Sequence, residues 1–344
     1  ISPGSETWST CSDRPMRILY AIQGTGNGHI SRAREIVPLL QQYGELDLLI
    51  SGTQADVNLS QPLAYRFHGF SFVFGKKGGV DHWRTYKTMD LKRLKRDISS
   101  IPLKKYNLII NDFEPVAAWA CRLQSVPSVS LSHQASFLSP KTPRPTNFFH
   151  WAEWVFRHYA PATHHIGFHF DRYDDFIHTP VIRGDIRRSV PSDRGHITVY
   201  LPAFDDRILL TYLKQLPEVR WEVFSKHTSR SYTEGNVKVS PIHNEQYNDS
   251  LAGCHGLLTG GGFEGPAEAL FLGKKVLVIP MKHQYEQLCN AEAARRLGIP
   301  VIQEVDETFV CRLRNWISDP FPVHMTFPDE TSAIIDGMIK RFAY

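Results

Sequence analysis

Short apolar runs alternate along the chain with longer segments in which apolar residues recur at helical spacing. The run at 17–22 predicts a strand, and apolar positions spaced three and four residues apart through 30–40 predict the helix that follows it. Comparable strand-like runs lie at 46–52, 67–74, 106–115, 126–134, 164–170, 196–202, 221–225, 237–241 and 275–280. This alternation predicts an α/β protein with two doubly wound domains, in which helices cover both faces of each sheet.

The composition is typical of a soluble globular protein. The 344 residues are long for one domain and comfortable for two; 42% are hydrophobic and 22% are charged. No apolar run approaches the ~20 residues that span a bilayer, and residues 1–15 lack the apolar core of a secretory signal. We therefore expect a cytoplasmic protein that starts at Met16, with residues 1–15 as an expression tag or a disordered tail.

Charge and cysteine content narrow the chemistry only a little. The net charge of +4 suits an anionic ligand or an anionic membrane surface. The five cysteines show neither paired spacing nor a zinc-site pattern, which favours a reducing compartment. We predict no bound metal and no nucleic-acid partner.

A glycine-rich loop after the first predicted strand carries a histidine. Gly26, Asn27 and Gly28 precede His29 at the turn from strand to helix. Because ligands bind at the carboxyl edge of open α/β sheets, His29 is interpreted as a catalytic base or a substrate contact, with a structural histidine as the alternative. A Rossmann dehydrogenase is disfavoured, since its fingerprint needs a third glycine three positions after the second.

Three further polar residues end neighbouring strand-like runs. Asp112 and Glu114 end one run, and His133 ends the next. The carboxyl ends of parallel strands meet at one edge of a sheet, so these side chains are expected near His29. Asp112 is predicted to orient His29 and to stabilise its charged form, and capping of the following helix is the alternative role.

A second glycine turn lies between an apolar run and a segment of good helix formers. It consists of Gly260, Gly261 and Gly262, and Phe263 and Glu264 follow it. Glycines let phosphates approach the backbone, and a helix start offers unpaired N–H groups and the positive end of a dipole. The turn is therefore a candidate phosphate site, and Phe263 and Glu264 are expected to belong to the donor-binding residues with it; a merely tight turn is the alternative.

The segment 259–291 resembles the donor-binding signature of GT-B glycosyltransferases. The likeness consists of the glycine turn, Glu268-Ala269, the spacing from Gly273 to Pro280, and Glu286-Gln287 followed by Asn290-Ala291. It is similar to family 28 and to plant and antibiotic glycosyltransferases that use nucleotide sugars, whose N-terminal loop the first glycine loop also resembles. One departure is Gly260, where several relatives have a histidine or an arginine.

This resemblance implies donor contacts in the second half of the chain. Glu268 would bind the ribose hydroxyls, with a solvated helix position as the alternative. Glu286 and Gln287 would contact the sugar, and Asn290 belongs to the same motif. Arg187, in the segment that resembles the interdomain hinge, would add a cation near the phosphates; a surface arginine is the alternative.

The resemblance also implies an acceptor side in the first half. His29 would be the base, oriented by Asp112, and the competing account makes His29 an acceptor contact with Asp112 or Glu114 as the base. The expected acceptor-side residues are Gly26, Asn27, Gly28, Glu114 and His133.

The implied activity is metal-independent, inverting transfer of a sugar from a nucleotide diphosphate sugar, with UDP favoured, to a hydroxyl acceptor. A lipid-linked or cell-envelope glycan is the candidate acceptor, and no cofactor is expected beyond the nucleotide sugar. A nucleotide-sugar 2-epimerase and a non-catalytic sugar-nucleotide sensor share the expected fold and stay as alternatives.

The same resemblance implies how the chain is divided. An N-terminal acceptor domain would span 16–185 and a nucleotide-sugar domain 186–330, and a terminal helix at 331–344 would pack on the first domain. The basic segment between Lys76 and Lys105 is either a solvated helix face or a contact for the inner face of a membrane.

Overall fold

The computed structural model describes residues 15–25, 27–52, 61–68, 90–146, 150–282, 284–320 and 322–343. Within these ranges the chain forms two sheets, one in each half, and apolar side chains of helices pack on both faces of each sheet. The prediction of two doubly wound α/β domains is confirmed.

The first sheet has seven strands, all paired in parallel. They are β1 (Met16–Gln23), β2 (Gly44–Ser51), β3 (Leu63–Phe67), β4 (Leu108–Asp112), β5 (Val129–Ser132), β6 (His164–Phe168) and β7 (Ile177–His178). Their order is β3-β2-β1-β4-β5-β6-β7. The direction of winding changes between β1 and β4, so their carboxyl ends flank the crevice where such sheets bind ligands.

Five helices accompany this sheet in the described part of the first half. They are α1 (Asn27–Leu40), α2 (Leu91–Ser100), α3 (Pro115–Gln124), α4 (His150–His158) and α5 (Gly184–Arg188), with 3-10 turns at Leu103–Lys105 and Gln134–Leu138. Of these helices, α1 and α3 pack on the two faces of the sheet. Ile36 of α1 joins Tyr20 of β1 in one buried cluster, and Val116 of α3 joins Leu19 in another. Adjacent residues of β1 therefore serve opposite layers, as expected for a strand buried on both faces.

The second sheet has six strands in the order β10-β11-β9-β8-β12-β13. They are β8 (His196–Tyr200), β9 (Arg220–Ser225), β10 (Tyr232–Glu234), β11 (Val237–Pro241), β12 (Gly256–Gly260) and β13 (Lys275–Ile279). The accompanying helices are α6 (Asp206–Leu213), α7 (Asn244–Gly253), α8 (Glu264–Phe271), α9 (Tyr285–Arg296), α10 (Phe309–Ser318) and α11 (Thr331–Phe342). Only β10 is antiparallel, and β12 lies beside β8 at the second crevice.

The terminal helix α11 returns to the first half, as predicted. Its Phe342 ring stacks on His164 of β6 with 4.3 Å between ring centroids. At the other end of the contact, the Tyr43 hydroxyl donates to Asp336 Oδ1 at 3.3 Å. The C-terminal helix therefore packs against the first half of the chain.

Two expectations at the edge of the first sheet lie largely outside the described residues. The third described strand is Leu63–Phe67, and the strand predicted at 67–74 is described only for its first two residues, because residues 69–89 lie outside the described ranges. The basic segment is therefore described only from residue 90 onward. There Lys105 Nζ donates to Asp47 Oδ2 at 2.9 Å, so this lysine is paired within the protein. Among the described helices, none has both the length and the apolar character that crossing a bilayer requires.

Candidate active site

The structure brings His29 and Asp112 together at the crevice of the first sheet. Helix α1 begins at Asn27, so His29 lies in its first turn directly above the end of β1. Asp112 ends β4, the parallel neighbour of β1, with Ile22 and Asp112 in register. The result is a hydrogen bond of 2.8 Å between His29 Nδ1 and Asp112 Oδ1. Glu114, not Asp112, caps the following helix.

The contacts of His29 favour one tautomer of its imidazole. Nδ1 lies 2.8 Å from Asp112 Oδ1 and 3.2 Å from Arg32 Nη2. Because an ionised carboxylate only accepts, and Arg32 Nη2 already donates to the same oxygen at 2.7 Å, we assign the proton to Nδ1, which donates it to Asp112. The lone pair of the neutral ring is left on Nε2, which is the arrangement that a general base requires.

Arg32 is the functional residue of this cluster that was not anticipated. Its Nη2 donates to Asp112 Oδ1 at 2.7 Å and its Nε donates to Oδ2 at 3.0 Å, a bidentate grip on the carboxylate. Burial alone would raise the pKa of Asp112, but Arg32 and His29 outweigh it and hold that pKa below its usual value. Asp112 is therefore an anion beside His29 at neutral pH.

The same arginine crosses to the second half of the chain. Its Nη1 donates to Glu264 Oε1 at 2.7 Å, at the start of α8. The two halves approach closely here, since a Cβ built on Gly28 would lie 2.5 Å from Glu264 Oε2. The histidine cluster and the second glycine turn therefore face each other across one crevice.

Amide side chains of α9 organise the second glycine turn. Gln287 Oε1 accepts from the backbone N–H of Gly261 at 3.2 Å and from that of Met281 at 3.0 Å. Asn290 Nδ2 donates to the carbonyl of Gly261 at 3.0 Å. A Cβ on Gly261 would lie 2.7 Å from the backbone oxygen of Gln287, so only glycine fits there. Gln287 and Asn290 thus hold the turn from behind.

A cavity of about 340 Å³ opens between the two glycine loops. It is lined by both loops, by β8 and the segment after it, and by α7 and α8: Asn27, Gly28, Arg183, Tyr200, Phe204, Ile242, Asn244, Tyr247, Gly260, Gly262, Phe263, Glu264, Glu268, Met281 and Gln287 are among the lining residues. Its volume falls in the range of small-molecule sites.

Glu268 lies in this cavity and is paired with Arg183, a second residue that was not anticipated. Arg183 Nε and Nη2 donate to the two oxygens of Glu268 at 2.5 and 2.7 Å, and Nη2 also donates to Asn248 Oδ1 at 2.9 Å. Burial raises the pKa of Glu268, and the arginine opposes that rise. The pair places a fixed carboxylate on the cavity wall.

His133 and Glu286 join the halves beside the cavity. The His133 ring stacks on Phe263 with 3.9 Å between centroids, and its Nε2 lies 2.9 Å from Asn290 Oδ1. Glu286 Oε1 accepts from Gln134 Nε2 at 3.1 Å. Burial lowers the pKa of His133. These contacts put His133 at the interface and not on an open acceptor surface.

Two predicted site residues make contacts other than the expected ones, and a third predicted residue lies outside the described part of the chain. Arg187 donates to the carbonyls of Phe327 and Pro328 at 3.0 and 3.3 Å, so it holds the segment before α11 and not the donor phosphates. Glu114 is fully buried, and its two oxygens each accept an N–H of α3 at 2.7 Å, so its carboxylate is occupied as a helix cap. Gly26 lies outside the described residues.

No cluster of three or more His, Cys, Asp or Glu side chains suited to a metal ion occurs in the part of the chain that the structure describes. Independence from metal stays a prediction that a chelator can test. The site as described offers a cavity lined by Arg183 and the start of α8, and beside it a histidine–aspartate pair that Arg32 connects to Glu264.

Comparison with known proteins identifies the family of the chain. The model of the family described as glycosyl transferase family 1 matches residues 16–318, which is most of the chain. A search of the curated proteins found no match.

Solved structures share the architecture at low sequence identity. MurG of Acinetobacter baumannii is 15% identical with a TM-score of 0.62, and the match covers 95% of this chain and 100% of that one. The glycosyltransferase SnogD of Streptomyces nogalater is 14% identical with a TM-score of 0.54, covering 94% and 100%. Phytolacca americana UGT2, solved with UDP-2-fluoro-glucose and pterostilbene, is 12% identical with a TM-score of 0.58, covering 89% and 90%. The chain therefore belongs to glycosyl transferase family 1, and it is a glycosyltransferase of the GT-B fold.

Proposed function

We propose that this glycosyltransferase moves a sugar from a nucleotide diphosphate sugar to a hydroxyl acceptor, without metal and with inversion at the anomeric carbon. A UDP-sugar is the favoured donor. The observation that carries the proposal is the His29–Asp112 pair, 2.8 Å apart, which Arg32 connects to Glu264 on the wall of the cavity.

The donor is proposed to lie in the cavity with its diphosphate at the start of α8. Backbone N–H groups and the helix dipole stabilise an anion there. Glu268, fixed by Arg183 at 2.5 Å, would accept hydrogen bonds from the ribose hydroxyls. Two structures of similar fold were solved with nucleotides, UGT2 with UDP-2-fluoro-glucose and LpCGTa with UDP, which supports this class of donor.

His29 is proposed to take the proton of the acceptor hydroxyl on Nε2. Asp112 accepts from Nδ1, and it stabilises the imidazolium as the proton arrives. The oxygen then attacks the anomeric carbon from the face opposite the leaving diphosphate, which inverts the configuration. The contacts that join the halves around the cavity would keep water from the reacting atoms.

The acceptor is proposed to be a hydroxyl of a lipid-linked or cell-envelope glycan, handled in the cytoplasm or at the inner face of a membrane. The described part of the basic segment supports a membrane contact, because Lys92, Lys95 and Arg96 of α2 are exposed on one helix. Binding to vesicles with and without anionic lipid would test that part alone.

Product analysis tests the proposal. Nucleotide sugars are incubated with hydroxyl acceptors in excess EDTA, and the anomeric configuration of the product is read by NMR. We expect transfer with inversion. Retained configuration would contradict the mechanism, and conversion of UDP-N-acetylglucosamine to a new sugar without acceptor would indicate a 2-epimerase. Binding of the nucleotide sugar with no product under any condition would indicate a sensor.

A further inference from the structure

The Arg32–Glu264 contact is unexplained by the roles assigned so far. Arg32 uses Nη2 and Nε to grip Asp112, which leaves Nη1 pointing across the crevice. That third nitrogen donates to Glu264 Oε1 at 2.7 Å. Base orientation needs only the grip on Asp112, so the contact with Glu264 serves some other purpose.

Glu264 carries a negative charge at a helix start, a position that would otherwise bind an anion. It is the first residue of α8, it follows the glycine turn and it lines the cavity. A diphosphate bound at this helix start would meet a carboxylate of the same sign of charge. The side chain therefore occupies a place that suits an anion, and its charge is matched there by Arg32.

The two partners differ in freedom. The Arg32 side chain is only 2% exposed and is held by two further bonds to Asp112, whereas the Glu264 side chain is 26% exposed. A change of partner would thus leave the arginine in place and move the glutamate. Asp112 sets the plane of the guanidinium, so Nη1 keeps its direction when Glu264 leaves.

We propose that the Glu264 carboxylate pairs with Arg32 Nη1 only in the free protein, and that the diphosphate of the bound donor replaces this carboxylate as the partner of Nη1. This inference rests on the proposed function. Arg32 then becomes the cation that stabilises the leaving group. As the acceptor oxygen bonds to the anomeric carbon, the bond from that carbon to the phosphate oxygen breaks. The diphosphate keeps the electron pair, and its added charge develops beside Arg32.

The exchange connects the two halves of the reaction through one side chain. Arg32 bonds the carboxylate that orients His29, and in the donor complex it bonds the diphosphate that leaves. In the free protein, Glu264 balances the positive charge at the Nη1 end of the Arg32 guanidinium. A buried charge without a partner there would destabilise the fold. The exchange would therefore affect the binding affinity of nucleotides that carry a diphosphate, and it would leave the affinity of nucleosides unchanged.

Calorimetric titration of uridine, UMP and UDP tests the exchange. The proteins are the parent, Glu264→Gln, Arg32→Lys, the double variant, and Glu292→Gln as a control. Glu292 is an ion-paired glutamate of α9, bonded to Arg295 at 2.8 Å, and does not line the cavity. Circular dichroism melts check that each variant folds.

We expect Glu264→Gln to bind UDP about tenfold more tightly than the parent, the scale of one hydrogen bond to a charged group, with uridine unchanged. Adding Arg32→Lys should remove that gain, because lysine cannot grip Asp112 and reach the phosphate together. Glu292→Gln should bind all three compounds like the parent.

Three results would overturn the inference alone while UDP still binds the parent: no gain with Glu264→Gln, an equal gain for uridine, or a gain that survives Arg32→Lys. A crystal structure with UDP in which Arg32 still bonds Glu264 and no phosphate would do the same. If neither UDP nor GDP, ADP, CDP or TDP binds any of the proteins, the proposed function fails as well.

Discussion

The two glycine loops have the same local architecture and are held by different chemistry. Each is a turn from a parallel strand to a helix at a crevice of its sheet. Around the first loop the contacts are charged, with Arg32 bonded to Asp112. Behind the second loop they are neutral amides, with Gln287 and Asn290 bonded to Gly261.

This difference matches what each loop is proposed to do. A base must gain a proton during the reaction, so the charges around it must be fixed before the substrate arrives. A phosphate site must present free N–H groups, and neutral amides can support the turn without attracting or repelling the phosphate.

The largest effect is expected in the first loop. His29→Ala should lower kcat by about 10²–10⁴-fold, because that is the usual contribution of a general base. The dissociation constant of UDP should stay close to that of the parent, since the base is not proposed to contact the nucleotide. Steady-state kinetics with a saturable acceptor measures the first quantity, and calorimetry the second. A raised KM for acceptor with parental kcat would instead make His29 an acceptor contact.

The next effect is expected on the cavity wall of the second half. Glu268→Ala should weaken UDP binding by about 1–3 kcal/mol, the scale of lost hydrogen bonds to a charged group. Removing the carboxylate also leaves Arg183 without its ion-pair partner, so Glu268→Gln is the matched variant that keeps the shape. Unchanged affinity in both variants, with the fold intact by circular dichroism, would remove Glu268 from the donor site.

An effect of similar size, on stability, is expected from the amide support of the second loop. Gln287→Ala leaves the N–H groups of Gly261 and Met281 without their acceptor, which should lower the free energy of unfolding by about 1–3 kcal/mol. UDP affinity should fall as well. Denaturant melts and calorimetric titration of UDP measure the two quantities, and parental values of both would show that Gln287 does not support the turn.

The smallest effect concerns the interface between the halves. Burial holds the pKa of His169 well below its usual value, so the folded protein leaves this ring neutral. An unfolded histidine takes up a proton near pH ~6.5, so the free energy of unfolding should fall as pH drops below that value, by up to about 1.4 kcal/mol per pH unit for one group. Above it the contribution is fully present.

His169→Asn tests that sign, because its amide oxygen can replace Nδ1 as the acceptor of the Phe170 N–H. Denaturant melts at pH 5.5 and 7.5 should show a smaller difference than in the parent. A residual difference is expected from His133, whose pKa burial also lowers. An equal or larger difference in the variant would contradict the assignment.

The sequence was sufficient to predict the two sheets and both glycine turns, because strand, glycine and helix signals are local. It also predicted the meeting of His29 and Asp112, since parallel strands bring their carboxyl ends together. Arg32 could have been found, because it lies three residues after His29 and so shares its side of α1. Its contact with Glu264 could not, since that depends on how the halves dock.

At the connection between the halves, the sequence pointed to Arg187, whereas Arg183 is the arginine that lines the cavity. Arg183 precedes α5 and reaches Glu268, while Arg187 lies inside α5 and faces the segment before α11. Which of them reaches the cavity depends on where this short helix starts. Glu114 and Asp112 differ in the same way, since Asp112 ends its strand and Glu114, two positions later, caps the following helix.

The most direct test of the central claim is calorimetric titration of UDP into the parent protein in excess EDTA. Phosphate binding is assigned to backbone N–H groups, the helix start and Arg32, none of which requires a metal ion. UDP is therefore expected to bind with the same affinity with and without chelator. Binding that disappears with EDTA and returns with added Mg²⁺ or Mn²⁺ would contradict it.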